Sequence, residues 1–592
     1  MEESTLSAGI SYWRYSKKKR LPKLLPLVIA SMVASGPVIA VELNTGNPDL
    51  KLRLDTTVRY NFGVRAQDCD TTICGNGSGS PVGGGDITAH QSDRKFAKAG
   101  SVVTSRLDIL PEFDAVYLGR FGVRISGAAW YDAAYRNRIE GDLALNAYPG
   151  GVAQGAGQLG AEYHAYTKRY AVGPSGEWLD AFAFAKLDLG DVPVSIKAGQ
   201  HNIYWGESLF SFVNGVSVGQ GPLDFRKAIA TPGIEAKEVF RPLSQISFSA
   251  GLTDRITLSG QYFLDWKPTI LPDGGTYFGA LDGLNMSGGT SIFGVPFGGI
   301  TGRPASERGD YGLALKLRTA WLDGSLGLYY RKYTEKTPQL ALTGVAVVGG
   351  QLAPTGFGLD YSTPRQTLYG VSVGKQIGGL SVGSDITLRR NAQILARPFS
   401  IPAGAANLGA GPVGNSLLPT GDVFSGVINA IAYFGRTPFF GSAVLQAEVN
   451  FSHLLSVKKN PTSFYGEGYN CPQAVTEGFP YGCATKNAVG IGVSFEPKWF
   501  QVFGGVHLSM PTYIGVGVKG NSVVALGDNE GQGNFTIGLN ADIDSKYLVS
   551  LKYNGFLAKH QKDELGALSN NNASLGKYWD RGWVSLTIKA TF

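Results

Sequence analysis

Three stretches place a serine between glycines in the pattern G-x-S-x-G: Gly215–Gly219, Gly370–Gly374 and Gly379–Gly383. The pattern makes a nucleophile only where a strand turns sharply into a helix of an α/β sheet. Among 82 glycines such matches arise by chance, so none is read as catalytic. Cysteine chemistry is the next candidate. Cys69 with Cys74, and Cys471 with Cys483, form two close pairs in Gly-, Asn- and Pro-rich stretches. Neither pair has the further His or Cys ligands that a zinc site needs, and two local disulfides are the expectation for an exported chain. No metal and no cofactor is expected. A dense run of charge lies between Lys197 and Pro242. There Trp205 and Glu207 lead into a long connection carrying Asp224, Arg226, Lys227, Glu235, Lys237, Glu238 and Arg241. Mixed charge on such a connection is either a solvated surface loop or, folded into a wide barrel, a constriction that sets pore size and field.

The elements that would hold such a loop follow from composition. Charged residues make up 17% of the chain and the mean hydropathy is −0.02, so polar and apolar residues are interleaved. After residue 40 there is no run of about 20 apolar residues to form a membrane helix. A membrane β-barrel interleaves in this way, because lipid-facing and lumen-facing side chains alternate along every strand. The competing all-β reading is a soluble solenoid or propeller. The N-terminus favours export. Arg14, Lys17, Lys18, Lys19, Arg20 and Lys23 precede the apolar stretch Leu24–Val33, and Val38-Ile39-Ala40 offers small residues for cleavage, so residues 1–40 read as a signal peptide. That segment carries a net +4, and its removal takes the chain from +7 to +3. No nucleic-acid partner is indicated.

Strand periodicity supports the barrel. Between Arg106 and Tyr117 the odd positions Leu107, Ile109, Phe113, Ala115 and Tyr117 are apolar, and Arg106, Asp108, Glu112 and Asp114 alternate with them. The last ten residues alternate without a break on the even positions Val584, Leu586, Ile588, Ala590 and Phe592. This resembles the terminal signal by which barrel-assembly machinery recognises a last strand ending at Phe592. The fold class is therefore all-β: a transmembrane, outer-membrane antiparallel β-barrel of about 18 strands, within a range of about 14–20. One domain spans 41–592, with long extracellular loops and a candidate inward-folded loop. Segments 487–496 and 498–508 read as separate strands on either side of Pro497. In the second, the apolar register Phe500, Val502, Val506 and Leu508 turns His507 and Ser509 toward the lumen, the wrong side for a dyad attacking bilayer lipid. No enzyme is expected. Trp130, Phe182, Phe184 and Phe263 fall on lumen positions beside Asp180, Lys186 and Asp265, forming a candidate amphipathic track.

A family resemblance rests on the middle of the chain. Gly199-Gln200 through Trp205-Gly206-Glu207-Ser208, Thr231–Glu238, Phe263–Trp266 with Gly275–Phe278, and Thr363–Gly370 resemble the proteobacterial outer-membrane family called domain-of-unknown-function family 1302. Gly219–Asp224 departs from that family's usual Asn-Pro-containing connection. The resemblance implies an outer-membrane location and an association with steroid, aromatic or other hydrophobic-compound metabolism. It also implies partners: a periplasmic lipid-shuttle-like protein and an inner-membrane exporter.

Beyond lipid and lipopolysaccharide, then, the expected role is a channel or transporter for hydrophobic or amphiphilic small molecules. A general diffusion porin with a charged constriction is the alternative, and a structural or surface-interaction barrel a second. The export reading has a direct check: N-terminal sequencing of the protein from outer membranes is expected to begin at Val41, and a chain retaining Lys17–Lys23 would overturn it.

Overall fold

The computed structural model describes residues 41–70, 96–135, 167–273, 276–279, 290–292, 295–300, 304–348, 350–396, 411–412, 418–469, 471, 483–558, 561–562, 568–569 and 578–592. The expected signal segment 1–40 and Cys74 lie outside them.

Period-two patterning becomes a wall of eighteen strands. The first nine are β1 (Leu50–Arg65), β2 (Val102–Tyr117), β3 (Phe121–Asp132), β4 (Ser175–Leu189), β5 (Val192–His201), β6 (Leu243–Thr253), β7 (Ile256–Phe263), β8 (Tyr311–Thr319) and β9 (Gly324–Tyr333). Next come β10 (Gln366–Ile377), β11 (Leu380–Gln393), β12 (Thr420–Phe434), β13 (Ser442–Lys459) and β14 (Asn487–Phe503). The last four are β15, in two segments (Val506–Ser509 and Thr512–Lys519), β16 (Gly533–Ile543), β17 (Tyr547–Leu557) and β18 (Trp583–Thr591). Each pairs antiparallel with its sequence neighbours, and β18 returns to β1 from Thr57↔Thr591 to Arg65↔Trp583. Phe592 seals the seam, exchanging 2.9 Å backbone hydrogen bonds with Thr56 in both directions. The short strand Val41–Leu43 adds to β1 just beyond it.

Short turns gather at the end that holds the seam's terminus. One of several two-residue hairpins is Gly378-Gly379, whose φ values of 54° and 89° give the connection between Ile377 and Leu380 the twist that antiparallel strands prefer. All long connections emerge at the other end. Three of them contribute to a second sheet outside the wall, in which Gln339–Val348, Gln351–Asp360, Val295–Ile300, Thr290–Ile292 and Gly411–Pro412 pair. The long connections also carry the cysteines. Cys471 and Cys483 form a disulfide with a Cα separation of 5.9 Å, and Cys69 is disulfide-bonded.

Several strand ends differ by a few residues from the sequence reading, and the largest difference lies at Pro497. The strand expected to end near residue 496 runs through Pro497 to Phe503, and the turn falls at 504–505. Proline lacks an amide donor. Pro497 accepts from the Met510 amide, so its missing N–H also points toward β15, at the two-residue break before Thr512. The ladder gives up the one bond that residue 497 would return to Met510 and keeps its register on both sides, from Phe495↔Thr512 to Lys498↔Ser509. His507 consequently opens β15 instead of closing a strand over 498–508. Its Nδ1 accepts the Gln501 N–H at 3.0 Å, and Ser509 Oγ accepts from Asn540.

The outer face is apolar. Ile109, Val123, Ile246, Leu313, Leu328, Ile386, Ile428, Val449, Ile514, Ile537 and Leu551 are all exposed there. Aromatic girdles bound the belt: Trp321, Tyr433, Phe439 and Phe503 near the short turns, and Trp178, Tyr262 and Tyr369 toward the long connections. In water this surface is untenable; in a bilayer it is the lipid contact of an outer-membrane barrel, with rings at both headgroup levels. The polar residues are inside. Replacing mid-belt Ile386 with Lys is expected to cost about 2–4 kcal/mol in urea unfolding from liposomes, against about 0–1 kcal/mol for Ile377→Lys beside a turn. Equal costs at the two depths would contradict the placement of the belt.

Candidate functional site

The connection 202–242 between β5 and β6 folds into the lumen, where it meets wall residues on both sides. Its first half docks on the β8–β13 wall. Trp205 is buried against Val216, Ala314 and Tyr329. Glycine at 312 makes room, since a Cβ there would lie 2.8 Å from the indole. Gly206 has φ +99° and lies so close to Asp385 that a Cβ would sit 2.4 Å from its carboxylate. Asp385 accepts the backbone N–H groups of Glu207 and Val216, each at 2.9 Å. Glu448 accepts those of Leu209, Phe210 and Ser211 at 2.6–3.1 Å. Two wall carboxylates thus hold the Trp-Gly-Glu-Ser segment through its main chain, as anions hold any cluster of unpaired amides. The Glu207 side chain lies half-buried beside Gly374.

The second half crosses to the opposite wall through ion pairs. Helix α1 (Phe225–Ala230) is capped by Asp224, which also takes both forks of Arg226 at 3.1 and 2.7 Å. Lys227 pairs with Glu177 of β4 and lies 5.0 Å from the Trp130 ring. Helix α2 (Ala236–Val239) begins with a capping box between Glu235 and Glu238. Glu238 receives a bidentate bond from Arg59 of β1 at 2.8 and 2.9 Å, and Asp108 stands 3.5 Å from the same guanidinium. Glu235 binds Lys589 of β18 at 2.6 Å and Lys237 at 2.9 Å, and Lys237 also reaches Glu112 of β2. Burial pushes the Asp224 carboxyl up, but Arg226 and its neighbouring cations outweigh it and hold the pKa at about 2. Burial likewise opposes Glu235, and Lys589 and Lys237 bring it down to about 2.

The sequence candidates therefore separate. Trp205 and Glu207 sit on one wall. Asp224, Arg226 and Lys227 gather with Trp130, whereas Glu235, Lys237 and Glu238 gather with Arg59, Glu112 and Lys589. Arg241 stands apart, donating to the Pro268 carbonyl. Of the candidate track, Trp130 and Phe263 are buried beneath loop and mouth residues, Phe263 facing Lys336 at 5.6 Å. Phe182 and Phe184 remain half-buried on β4, with Lys197 5.2 Å from the Phe182 ring. The wall partners Arg59, Glu112, Glu177, Asp385, Glu448 and Lys589 were not singled out from sequence; alternation turns each inward, but only the fold shows which loop group meets which. An aromatic group was missed as well. Tyr204 and Phe240 are 4.5 Å apart, and Phe212 lies 5.9 Å from Phe240. Among the described residues no group of three His, Cys, Asp or Glu is placed to hold a metal ion. The G-x-S-x-G stretches lie in the lumenal loop and on strands β10 and β11.

Two outcomes follow from the tethers. Arg59→Ala leaves Glu238 buried without its cation, while Asp108 keeps Arg106 at 2.9 Å, so it is expected to cost about 3–5 kcal/mol and admit protease to 202–242 in the folded barrel; unchanged protection would contradict the anchoring role. Glu235 has a folded pKa below its ordinary 4.5, so its contribution is full above that value and is lost as pH falls toward about 2. Protease protection of the loop should therefore be flat from pH 8 to 5 and fall below about pH 4; a loss near neutrality would contradict this.

Comparison with known proteins adds to this description. No curated protein matches the chain. Solved structures with distant likeness include the outer membrane protein OpdK of Pseudomonas aeruginosa, at 9% identity and a TM-score of 0.36. OccK9 (OpdG) of Pseudomonas aeruginosa has 10% identity and a TM-score of 0.38, covering 91% of this chain and 98% of its own. OccAB4 of Acinetobacter baumannii has 9% identity and a TM-score of 0.39, covering 94% and 100%. A BenF-like porin from Pseudomonas fluorescens has 10% identity and a TM-score of 0.38, covering 91% and 98%. The architecture stands on the closed ladder itself. The family model described as "Protein of unknown function (DUF1302)" matches residues 21–592, nearly the whole length, and the chain belongs to that family.

Proposed function

We propose that this barrel is an outer-membrane channel for hydrophobic or amphiphilic ring-bearing small molecules of the sterol, aromatic or lipid-like kind. The observation that carries the reading is the aromatic group on the lumenal loop. Phe212 is 45% exposed and Tyr204 40% exposed, although both belong to a segment enclosed by the wall. A loop serving only as a seal would bury such rings, since each withholds a large apolar area from packing. Left open within the barrel, they offer apolar faces to a passing solute, with a few charged groups beside them, as small-molecule sites commonly do. The half-buried Phe182 and Phe184 on β4 extend the apolar character along the wall.

A general diffusion porin with a charged eyelet has less support, because Asp224, Arg226, Lys227, Glu235, Lys237 and Glu238 are spent on ion pairs that seat the loop. A periplasmic lipid-shuttle-like carrier and an inner-membrane exporter are proposed partners on the strength of the family resemblance alone.

Proteoliposome flux tests the channel. A neutral naphthalene derivative is expected to cross faster than a sugar of equal size. Phe212→Ala with Tyr204→Ala should slow it about tenfold, equivalent to about 1.4 kcal/mol of lost ring contact, without slowing the sugar. Equal rates for the two solutes in the unaltered protein would remove this reading.

A further inference from the structure

Two arginines in the lumen lack the partners that buried guanidinium groups require. Arg331 on β9 lies opposite Leu368 on β10, which lies opposite Arg389 on β11, so the three side chains share the inner face in one row. Arg331 is 0% and Arg389 2% exposed. Arg331 spends one nitrogen on the carbonyls of Val216 and Val218 of the lumenal loop, while its Nε and Nη2 have no partner. The Arg389 guanidinium stands close to Tyr333, and its Nε and Nη2 have no partner either. Among the described residues neither forms an ion pair with a carboxylate. The carboxylates in the neighbourhood are committed. Asp310 takes Thr334, Lys336 and Arg365, and Glu335 takes Gln366 together with the amides of Lys336 and Thr337. Lys336, itself buried, adds a third cation.

Burying an unpaired charge costs several kcal/mol, and ionisable groups kept at that expense inside membrane proteins mark solute pathways. The row also has an apolar floor. Leu368 and Tyr333 pack against Val218 of the loop, and the Tyr333 ring lies 4.9 Å from Arg331 Cζ, so one tyrosine touches both arginines. Gly219 closes over it, where a Cβ would fall 2.3 Å from the ring. The Val216–Gly219 turn is therefore a cover whose carbonyls already sit where an acceptor is wanted.

We infer that Arg331 and Arg389 form a station for the carboxylate of an amphiphilic solute, entered when the Val216–Gly219 turn lifts from Tyr333. This rests on the channel reading and narrows its substrate class to ring-bearing carboxylates. Two planar forks with four unpartnered nitrogens suit a carboxylate, which accepts from such forks in pairs. The apolar floor of Leu368 and Val218 suits the ring that carries it.

Binding and flux separate the two ideas. Naphthoate and its neutral amide share one ring system and differ in charge. Titrated against the full chain in detergent, naphthoate should bind about tenfold or more tightly than the amide. Arg331→Gln and Arg389→Gln should each erase that preference by weakening naphthoate alone, and Arg389→Lys should keep part of it. Gel mobility with and without heating confirms that each variant is a folded barrel, and the amide's own affinity serves as the internal control. If the two compounds bind alike in the unaltered protein, or if both weaken together in the Gln variants, the arginines only seat the loop and the station is wrong. If instead naphthoate binds as expected but neither compound crosses proteoliposomes, the station stands and the channel reading fails.

Discussion

Every backbone amide within the hydrocarbon must find a partner inside the protein, since a lipid tail offers none. For this chain the demand is met only when β18 reaches β1, and the two hydrogen bonds between Phe592 and Thr56 complete that meeting. Closure has a second effect. It divides the strands' alternate faces into an outside solvated by lipid and an inside that must be filled with water, side chains or chain. The large population of buried charged residues, from Arg59 to Arg581, belongs to that inner compartment.

The lumenal connection is the answer to what fills it, and the two walls hold it by different chemistry. Asp385 and Glu448 grip main-chain amides, an interaction that asks of the loop only that Gly206 and its neighbours bring those amides close. Arg59, Glu112, Glu177 and Lys589 grip side chains, and therefore depend on Glu238, Lys237, Lys227 and Glu235 individually. The loop is thus fixed in outline on one wall and in sequence on the other. Charges that looked like a constriction's lining act as its fastenings, and the unfastened groups left over are the rings of Tyr204 and Phe212 and the paired arginines under Val218.

Much of the wall was legible because alternation is a local property. Leu107 through Tyr117 and Val584 through Phe592 announce which face meets lipid without reference to any other strand. The misplaced turn near Pro497 shows where this stops. Proline reads locally as a strand breaker, but one missing donor does not end a strand whose pairing with its neighbours holds register on both sides of it. His507 moved with that turn, from the end of one strand to the start of the next.

The sequence by itself determined the class of fold, the approximate number of crossings, the inward or outward sense of most strand residues and the loop that holds the dense mixed charge. These follow from a two-residue period and from composition, which need no knowledge of distant partners. Only the tertiary structure decided that Glu238 meets Arg59, that Asp385 collects the amides of Glu207 and Val216, and that Arg331 and Arg389 share a tyrosine while lacking a carboxylate. Those pairings join residues more than a hundred positions apart, or across three adjacent strands, and they exist because ring closure brings opposite walls within reach of one loop.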